Sequence, residues 1–472
     1  MRLPGRASRE GFGAGPEGDT MASEEMEKSG DGRPVGERRP RISTVQAVER
    51  AILVGIDLPR SRVDAATSLD ELQQLALTAG AEVVGRITQK LDEPNSRFYL
   101  GKGKLEELAQ LCEETGANLV VFDDELRPRV QQELEKRLEL KVIDRTLLIL
   151  DIFSRRARTH EGRVQVELAQ YKYLLPRLIG MGTQLSRLGG GIGTRGPGET
   201  KLESDRRRIR QHITRLEKEI EGIRVQRQVH RGARQREELP VVALIGYTNV
   251  GKSTLLNSLT GSSVDAENKL FATLDPTTRK VRLPSGQEVL LTDTVGFISK
   301  LPTTLVAAFR ATLEELQEAD LLLRVVDITD DMVEESSRVV GEIVEELGLK
   351  DKPVITVLNK ADRLLADGGS GGQGLEKMTP ESLGLEAVPN TVLISAEKKL
   401  GLGHLLATIE ETLNALSQPI EVVLPYSRGD LVDLFRRKGV LEVEEHTPEG
   451  TLLRGRLPRR FAAGFGPYVR GA

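Results

Sequence analysis

The chain of 472 residues has very little of several things that define common classes of protein. It contains one cysteine, Cys112, which excludes an intramolecular disulfide framework and a cysteine-rich zinc module. Tryptophan is absent and aromatic residues make up only 3%, which argues against a nucleic-acid platform built on rows of stacked rings. The net charge of −4 excludes a uniformly basic surface, so any basic region has to be local.

Long apolar runs are also absent. No stretch of about 18 apolar residues occurs, so no transmembrane segment is expected, and a weak association with a membrane surface is left as an alternative. Residues 1–46 are predicted to be a disordered tail, because their beginning is rich in Gly, Pro, Arg and Glu and lacks the apolar centre of a secretory signal. We expect a cytoplasmic protein, and nothing in the sequence demands more than a monomer.

The basic charge of the chain is concentrated in residues 151–240, which hold 20 Lys and Arg against 11 Asp and Glu. Helical spacing at 164–177 and at 201–234 predicts two helices packed as a hairpin. The connecting loop, Gly189–Gly198, has glycine at six of its ten positions, which fits either a flexible linker or close approach to phosphates. The candidate RNA contacts are Arg187, Arg195, Lys201, Arg206, Arg207 and Arg208. The same charges also fit an ordinary solvated helix face.

A phosphate-binding motif follows the hairpin. The apolar run 241–245 leads into GYTNVGKST, which matches GxxxxGK[ST] in the strand–loop–helix context that the motif requires. Lys252 is expected to reach the β- and γ-phosphates and the Ser253 hydroxyl to bind Mg²⁺. The loop residues expected to hold the phosphates are Gly246, Tyr247, Thr248, Asn249, Val250, Gly251, Lys252, Ser253 and Thr254.

Two further elements complete the phosphate end of this site. Asp293 ends an apolar run and is expected to hold the Mg²⁺ shell, while Gly296 permits a backbone N–H to approach the γ-phosphate. A threonine between the P-loop and Asp293 should complete the shell, and Thr273, Thr277 and Thr278 all qualify. We assign catalytic roles to Lys252 and Gly296, and the threonine that completes the shell would share them.

A base-reading motif lies further along, at Asn359-Lys360-Ala-Asp362. The Asp362 carboxylate can accept two hydrogen bonds from guanine, a donor pair that adenine lacks. Asn359 can brace the base and the P-loop, and the stem of Lys360 can cover the ring. A backbone N–H at Ser395 or Ala396 can meet the guanine O6. The order of these motifs, each after an apolar strand, predicts a GTP site with Mg²⁺.

The residue after Gly296 is Phe297, where Ras-like GTPases have glutamine. A phenyl ring cannot orient a water molecule by hydrogen bonding, so we expect slow intrinsic hydrolysis that a partner accelerates.

These observations together predict a multidomain α/β protein. Its expected parts are a disordered tail (1–46), an N-terminal α/β domain (47–150), a basic helical hairpin (151–237) with a Gly-rich loop (189–198), a Ras-like P-loop GTPase domain with a mostly parallel, doubly wound sheet (238–417) and a small C-terminal α+β domain (418–472). The last of these ends in a basic stretch, and it fits either a structural cap on the GTPase domain or a contact with a partner.

The motifs resemble those of the HflX family of GTPases, in the Obg–HflX group of translation-factor-class enzymes. The resemblance extends over about residues 47–470. It rests on YLGKGKLEEL at 99–108, FDDEL at 122–126, the Gly-rich stretch 189–203, the P-loop, FATLDPT at 271–277 and DTVGF at 293–297.

The resemblance implies a function that spacing alone does not give. Members of the family bind the large ribosomal subunit, split or rescue stalled ribosomes under stress, and are stimulated by ribosomes. It implies that the loop Gly189–Gly198 reaches toward rRNA near the peptidyl-transferase centre, and that Thr273 is the magnesium ligand and has a catalytic role. It also offers a ribosomal component as a partner for the basic end of the C-terminal domain. A large-subunit assembly GTPase and a GTP-sensing recruitment module remain alternatives.

Overall fold

Three β-sheets carry the described part of the chain. The computed structural model describes residues 48–59, 61–178, 197–234, 239–261, 270–302, 316–330, 332–365 and 390–469. The predicted multidomain α/β architecture is confirmed, with two largely parallel sheets and one antiparallel sheet. The predicted tail, residues 1–46, lies outside the described residues.

The first sheet is parallel and has the strand order β2-β1-β3-β4. Its strands and helices are β1 (Arg50–Asp57), α1 (Ala65–Thr78), β2 (Glu82–Lys90), α2 (Lys102–Thr115), β3 (Leu119–Phe122), α3 (Pro128–Leu138), β4 (Lys141–Asp144) and α4 (Arg145–Arg156). Helix α4 runs across the predicted domain boundary at residue 150, since its apolar face packs back onto this sheet.

Both faces of this sheet are covered, which explains the unbroken apolar runs in its strands. Helices α2 and α3 bury Leu108 and Leu134 against one face. Helices α1 and α4 bury Leu72 and Phe153 against the other, and this second core continues without a break to Ile245 in the next sheet. The first domain therefore shares a core with the nucleotide-binding domain.

Helices α5 (His160–Arg177) and α6 (Pro197–Arg234) form the expected helix pair. They bury Val164 and Leu168 against Leu216, in agreement with the apolar spacing of the sequence. The C-terminal end of α5 is fixed to the first domain by Asp144. This buried carboxylate accepts hydrogen bonds from Tyr173 Oη and Arg177 Nη2, both at 2.9 Å.

The second sheet has six strands in the order β10-β9-β8-β5-β7-β6, and only the edge strand β6 runs antiparallel. Its strands and helices are β5 (Val241–Gly246), α7 (Lys252–Thr260), β6 (Thr277–Arg282), β7 (Glu288–Asp293), β8 (Leu321–Asp327), α8 (Val333–Glu346), β9 (Val354–Asn359), β10 (Thr391–Leu393) and α9 (Leu402–Ala415). Helix α8 covers one face, and helices α7 and α9 cover the other. The carboxyl ends of β5, β7, β8 and β9 therefore meet at one edge, where parallel sheets bind ligands.

The third sheet is antiparallel, in the order β11-β13-β12, and packs against one longer helix and the short helical segments at 459–468. Its elements are β11 (Ser417–Leu424), α10 (Gly429–Lys438), β12 (Val440–Thr447) and β13 (Gly450–Pro458). The central strand β13 was not predicted from the sequence. Exposed Arg454 and Arg456 alternate along it with buried Leu453 and Leu457, so the basic stretch is one face of a strand. None of the helices in the described ranges has the length and apolarity needed to span a membrane.

Candidate nucleotide-binding site

A cavity of about 360 Å³ opens at the carboxyl edge of the six-stranded sheet. It brings together segments that are far apart in the sequence, from the P-loop to the strand end after β10. Its lining residues are Thr248, Asn249, Gly251, Lys252, Ser253, Thr254, Phe271, Ala272, Thr273, Thr294, Gly296, Asn359, Lys360, Asp362, Arg363, Ala396 and Glu397. Most of the residues predicted for the GTP site are in this set.

The P-loop curls over the end of β5 and leads into α7. The Lys252 Nζ atom donates to the carbonyl oxygens of Gly246 at 3.1 Å and Tyr247 at 2.6 Å. Burial lowers the pKa of Lys252 to about 8, so phosphate oxygens in the cavity would favour its charged form. Gly251 has φ +95°, and a Cβ there would overlap Asn359 Nδ2, so this position requires glycine.

Three oxygen-bearing side chains meet beside Lys252. Ser253 Oγ and Thr273 Oγ1 donate to Asp293 Oδ2 at 2.6 and 2.8 Å, and the two hydroxyls lie 2.8 Å apart. The Asp293 Oδ1 atom is buried without a hydrogen-bond partner among the described residues. Burial raises the pKa of Asp293, whereas nearby Lys252 lowers it. An unpaired carboxylate oxygen beside two hydroxyls fits Mg²⁺, a hard cation that prefers oxygen ligands.

The other two threonines considered for this position belong to strand β6. Thr277 lies opposite Asp293 across the β6–β7 pair, and Thr278 Oγ1 pairs with Thr292 Oγ1 at 3.0 Å. Among the hydrogen bonds of the described residues, the Thr273 hydroxyl group is the one of the three that contacts both Ser253 and Asp293.

The opposite end of the cavity is organised by Asn359. Its Nδ2 atom donates to the carbonyl oxygen of Val250 at 2.8 Å, and its Oδ1 atom accepts from the Ala396 N–H at 2.9 Å. This side chain therefore ties the P-loop to the loop after β10. Lys360 forms an ion pair with Asp327 at 2.6 Å, which fixes its stem along the cavity wall.

Five predicted residues do not line the cavity. Asp293 lies behind the Ser253 and Thr273 hydroxyl groups. The Gly246 and Val250 carbonyl groups support Lys252 and Asn359, and the Ser395 N–H donates to the Leu400 carbonyl group at 3.1 Å. The fifth residue, Tyr247, points away from the cavity, as described below. Sequence reasoning missed other lining residues, although most of them adjoin predicted ones; they are Phe271, Ala272, Thr294, Arg363 and Glu397.

Phe297 is almost fully buried in the core shared with the first domain. Its backbone pairs with the P-loop: its N–H donates to the Gly246 carbonyl group at 3.1 Å, and its carbonyl group accepts from the Thr248 N–H at 2.8 Å. The residue at the water-orienting position of Ras-like GTPases is thus an apolar side chain directed away from the cavity.

An ionic joint follows Phe297 and connects the GTPase domain to the first domain. Arg145 is 1% exposed and pairs with Asp123, at 2.7 Å, and with Glu71. Burial lowers the pKa of Arg145 to about 10, so it stays charged at neutral pH. We use the name ionic joint for the set Glu71, Asp123, Asp124, Arg145, Tyr247, Ser299 and Lys300.

The GTPase side of the joint binds the same carboxylates. Tyr247 Oη donates to Glu71 and accepts from the Ser299 N–H at 2.6 Å. Lys300 pairs with Asp123 and with Asp124, the latter at 2.7 Å. The loop after Gly296 is therefore held by the first domain.

The RNA-contact candidates are only partly described. Arg187, Arg195 and the side chain of Lys201 lie outside the described residues. Arg206 Nη2 donates to the Leu178 carbonyl group at 3.4 Å, which gives it a structural contact at the C-terminal end of α5. Arg207 and Arg208 are exposed on α6.

Three family models match successive parts of the chain. "GTP-binding GTPase N-terminal" matches residues 66–154, and "GTP-binding GTPase Middle Region" matches residues 156–234. "50S ribosome-binding GTPase" matches residues 241–360. The three models follow the order of the first domain, the hairpin and the nucleotide-binding sheet.

The chain is also similar to curated proteins over most of its length. It is 48% identical to the GTPase HflX of Caldanaerobacter subterraneus subsp. tengcongensis, over 85% of this chain and 89% of that protein. It is 41% identical to the GTPase HflX of Escherichia coli, over 87% and 94%. A solved GTP-binding protein of Sulfolobus solfataricus in complex with GDP is 27% identical over 77% of this chain and 98% of its own, with a TM-score of 0.40, too low to add to the argument.

Proposed function

The chain belongs to the HflX family of GTPases, and from this premise we propose that it binds the large ribosomal subunit in its GTP form and splits or rescues stalled ribosomes. As a member of the family it binds guanine nucleotides and hydrolyses GTP. The ribosomal role, the magnesium ion and the residue roles below belong to the proposal.

The burial of Phe297 is the observation that supports stimulation of GTP hydrolysis by a partner. The Phe297 side chain has no hydrogen-bonding group, and its backbone is paired to the P-loop. Efficient hydrolysis therefore requires either a group from a partner or a rearrangement of the loop after Gly296. A ribosomal subunit that supplies this change would couple hydrolysis to binding. The description of the model that matches the GTPase domain names the same partner.

The proposed roles of the residues follow from their contacts. Lys252 neutralises the β- and γ-phosphates, and the Gly296 N–H faces the γ-phosphate. Ser253, Thr273 and Asp293 hold Mg²⁺, which when bound neutralises charge that develops on the phosphates. Asp362 accepts from the guanine N1–H and N2–H₂ groups, while Asn359 keeps the loop after β10 against the P-loop.

The helix pair α5 and α6 is the proposed ribosome-binding arm. It carries the Gly-rich loop and exposes Arg207 and Arg208, and the C-terminal end of α5 is fixed to Asp144. Guanidinium groups on such an arm fit rRNA phosphates near the peptidyl-transferase centre.

GTP turnover with and without purified large ribosomal subunits tests the proposal. We expect slow turnover alone, strong stimulation by subunits, and a loss of at least about 100-fold in Lys252→Ala. Lys350→Ala, which removes an exposed lysine far from the cavity, is the matched control. Turnover that subunits leave unchanged would contradict the ribosomal role and favour a recruitment module. Accumulation of precursor rRNA after deletion, with normal recovery of stalled ribosomes, would favour an assembly GTPase.

Neutralising Arg207 and Arg208 together tests the arm. We expect weaker subunit binding and a salt dependence whose slope falls by about one for each lost phosphate contact. Neutralising Arg279 and Lys280, which are exposed on the edge strand β6, is the control. Equal affinities and slopes for both pairs would assign the hairpin charges to a solvated surface.

A further inference from the structure

The segment that carries Thr273 is anchored on both of its sides to helices outside the GTPase sheet. Before Thr273, the ring of Phe271 packs edge-to-face on Phe153 of α4, with 4.6 Å between the ring centroids. After Thr273, Asp275 accepts hydrogen bonds from two backbone N–H groups directly before α5, both at 2.8 Å. Thr273 therefore lies between two fixed points, and only the second of them is polar.

Asp275 completes the N-terminal cap of α5. Thr159 is the N-cap residue, and its Oγ1 atom accepts from the Gly162 N–H at 2.9 Å. The Asp275 carboxylate accepts from the N–H groups of Arg158 and Thr159 and from Thr159 Oγ1. In a capping box, the side chain three residues after the N-cap accepts from the N-cap N–H. Here the accepting carboxylate comes from Asp275, 116 residues further along the chain.

The start of α5 leaves room for this foreign carboxylate. Gly162 stands three residues after the N-cap and has no side chain, and a Cβ there would overlap Asp275 Oδ1. A negative charge is also favourable at this end of a helix, because the first N–H groups are unpaired and the helix dipole is positive there. The start of α5 thus has the space, the hydrogen-bond donors and the favourable charge for a carboxylate from the segment that carries Thr273.

We propose that Asp275 is a positioning residue for GTP hydrolysis, because its cap on α5 holds Thr273 beside Ser253 and Asp293. This inference rests on the magnesium site proposed above. Coupling between two sites is reciprocal, so conditions that order Thr273 also strengthen the cap on α5. One carboxylate thereby links the nucleotide site to the base of the basic hairpin.

The test compares three variants with the wild type. Asp275→Ala removes the cap. Gly162→Ala introduces a methyl group where the carboxylate lies, without a change of charge. Gly222→Ala is the matched control, since Gly222 also lies inside a helix and has open space around its Cβ position. Alanine in place of glycine ordinarily favours a helix, so Gly162→Ala separates loss of the cap from loss of helix stability.

Two measurements are made on each full-length protein. The first is the Mg²⁺ concentration that halves the release rate of a fluorescent, non-hydrolysable GTP analogue, and the second is hydrogen exchange in residues 158–166. We expect Asp275→Ala and Gly162→Ala to require about tenfold more Mg²⁺ and to exchange faster at the start of α5, as for the loss of a helix cap. Asp275→Asn should retain part of both effects, because its amide oxygen still accepts hydrogen bonds. Gly222→Ala should match the wild type.

Three outcomes would overturn the inference or what it rests on. Wild-type Mg²⁺ dependence and exchange in both Asp275→Ala and Gly162→Ala would overturn the positioning role and leave the magnesium site intact. Faster exchange at α5 with unchanged Mg²⁺ dependence would reduce the cap to a structural contact. Release of the GTP analogue that is insensitive to Mg²⁺ in the wild type would remove the magnesium site itself, and the positioning role with it.

Discussion

The two largely parallel sheets each carry a buried aspartate at the carboxyl end of a strand, and the two side chains have opposite surroundings. Asp123, after β3, accepts from Arg145 at 2.7 Å and from Ser68 at 2.6 Å, and it also pairs with Lys300. Asp293, at the end of β7, accepts only from hydroxyl groups, through Oδ2, and its Oδ1 atom has no partner among the described residues.

Burial raises the pKa of both carboxyl groups, so the pKa direction does not separate them. The partners do. A buried carboxylate with two cations is a structural connection, because the protein supplies the positive charge itself. A buried carboxylate that has hydroxyl partners and one unused oxygen is suited to bind a cation from solution. Four predictions, from the largest effect to the smallest, test this difference.

Asp123→Asn should produce the largest loss of stability. It removes a charge from the ionic joint and leaves Arg145, 1% exposed, with only Glu71 as a carboxylate partner. We expect the free energy of unfolding to fall by about 3 kcal/mol, as for other broken buried ion pairs. Urea unfolding of the nucleotide-free protein measures it. Asp70→Asn, which breaks an exposed pair with Arg86, is the control and should change little. If Asp123→Asn and Asp70→Asn both lowered the free energy of unfolding only slightly, the proposed difference between Asp123 and Asp293 would be wrong.

Asp293→Asn should impair catalysis much more than stability. The amide oxygen can still accept from Ser253 and Thr273. The buried carboxylate charge is removed while buried Lys252 loses an attractive neighbour, so the stability of the nucleotide-free protein should change little. Single-turnover GTP hydrolysis should fall by roughly 100-fold, because the proposed magnesium site loses its only carboxylate. A variant that unfolds more readily but hydrolyses GTP at the wild-type rate would show that Asp293 is structural.

The sequence predicted the elements of the nucleotide site because its signals are local. The apolar runs that end at Gly246 and Asp293 are buried on both faces of the sheet, and such strands are visible without an alignment. Helices α1, α4, α8 and α9 and strands β6 and β13 were missed. In β13, Arg454 and Arg456 on the exposed face concealed the apolar alternation.

The ionic joint could not have been predicted in the same way. Glu71 meets Tyr247 and Ser299 across separations of 176 and 228 residues, and no local spacing signals such contacts. Tyr247 illustrates the consequence, since the motif places it in the P-loop while its hydroxyl group lies in the joint. A motif fixes the backbone of a loop, but packing against the first domain decides where its variable side chains point.

Asp362→Asn should have an effect of intermediate size, which is limited to recognition of the nucleotide base. Losing a charged acceptor for two guanine donors should weaken GTP binding about 30-fold. The new amide nitrogen can donate to the 2-oxo group of xanthine, so affinity for xanthosine triphosphate should increase. Equilibrium binding of the two nucleotides measures this exchange, and equal weakening for both would remove Asp362 from base recognition. Stability should stay near wild type, because Asp362 has no part in the ionic joint.

Tyr247→Phe should have the smallest effect. It compares, within the P-loop, a side chain of the ionic joint with one of the nucleotide site. The Tyr247 hydroxyl group binds Glu71 and Ser299 in the ionic joint. Its removal should therefore reduce the free energy of unfolding by about 1 kcal/mol, the contribution of a typical buried hydrogen bond, and leave GTP affinity unchanged. Thr248→Ala, one residue along and lining the cavity, is the contrasting variant. A Tyr247→Phe protein with wild-type stability and weakened GTP binding would mean that the Tyr247 hydroxyl group contributes to nucleotide binding and not to the ionic joint.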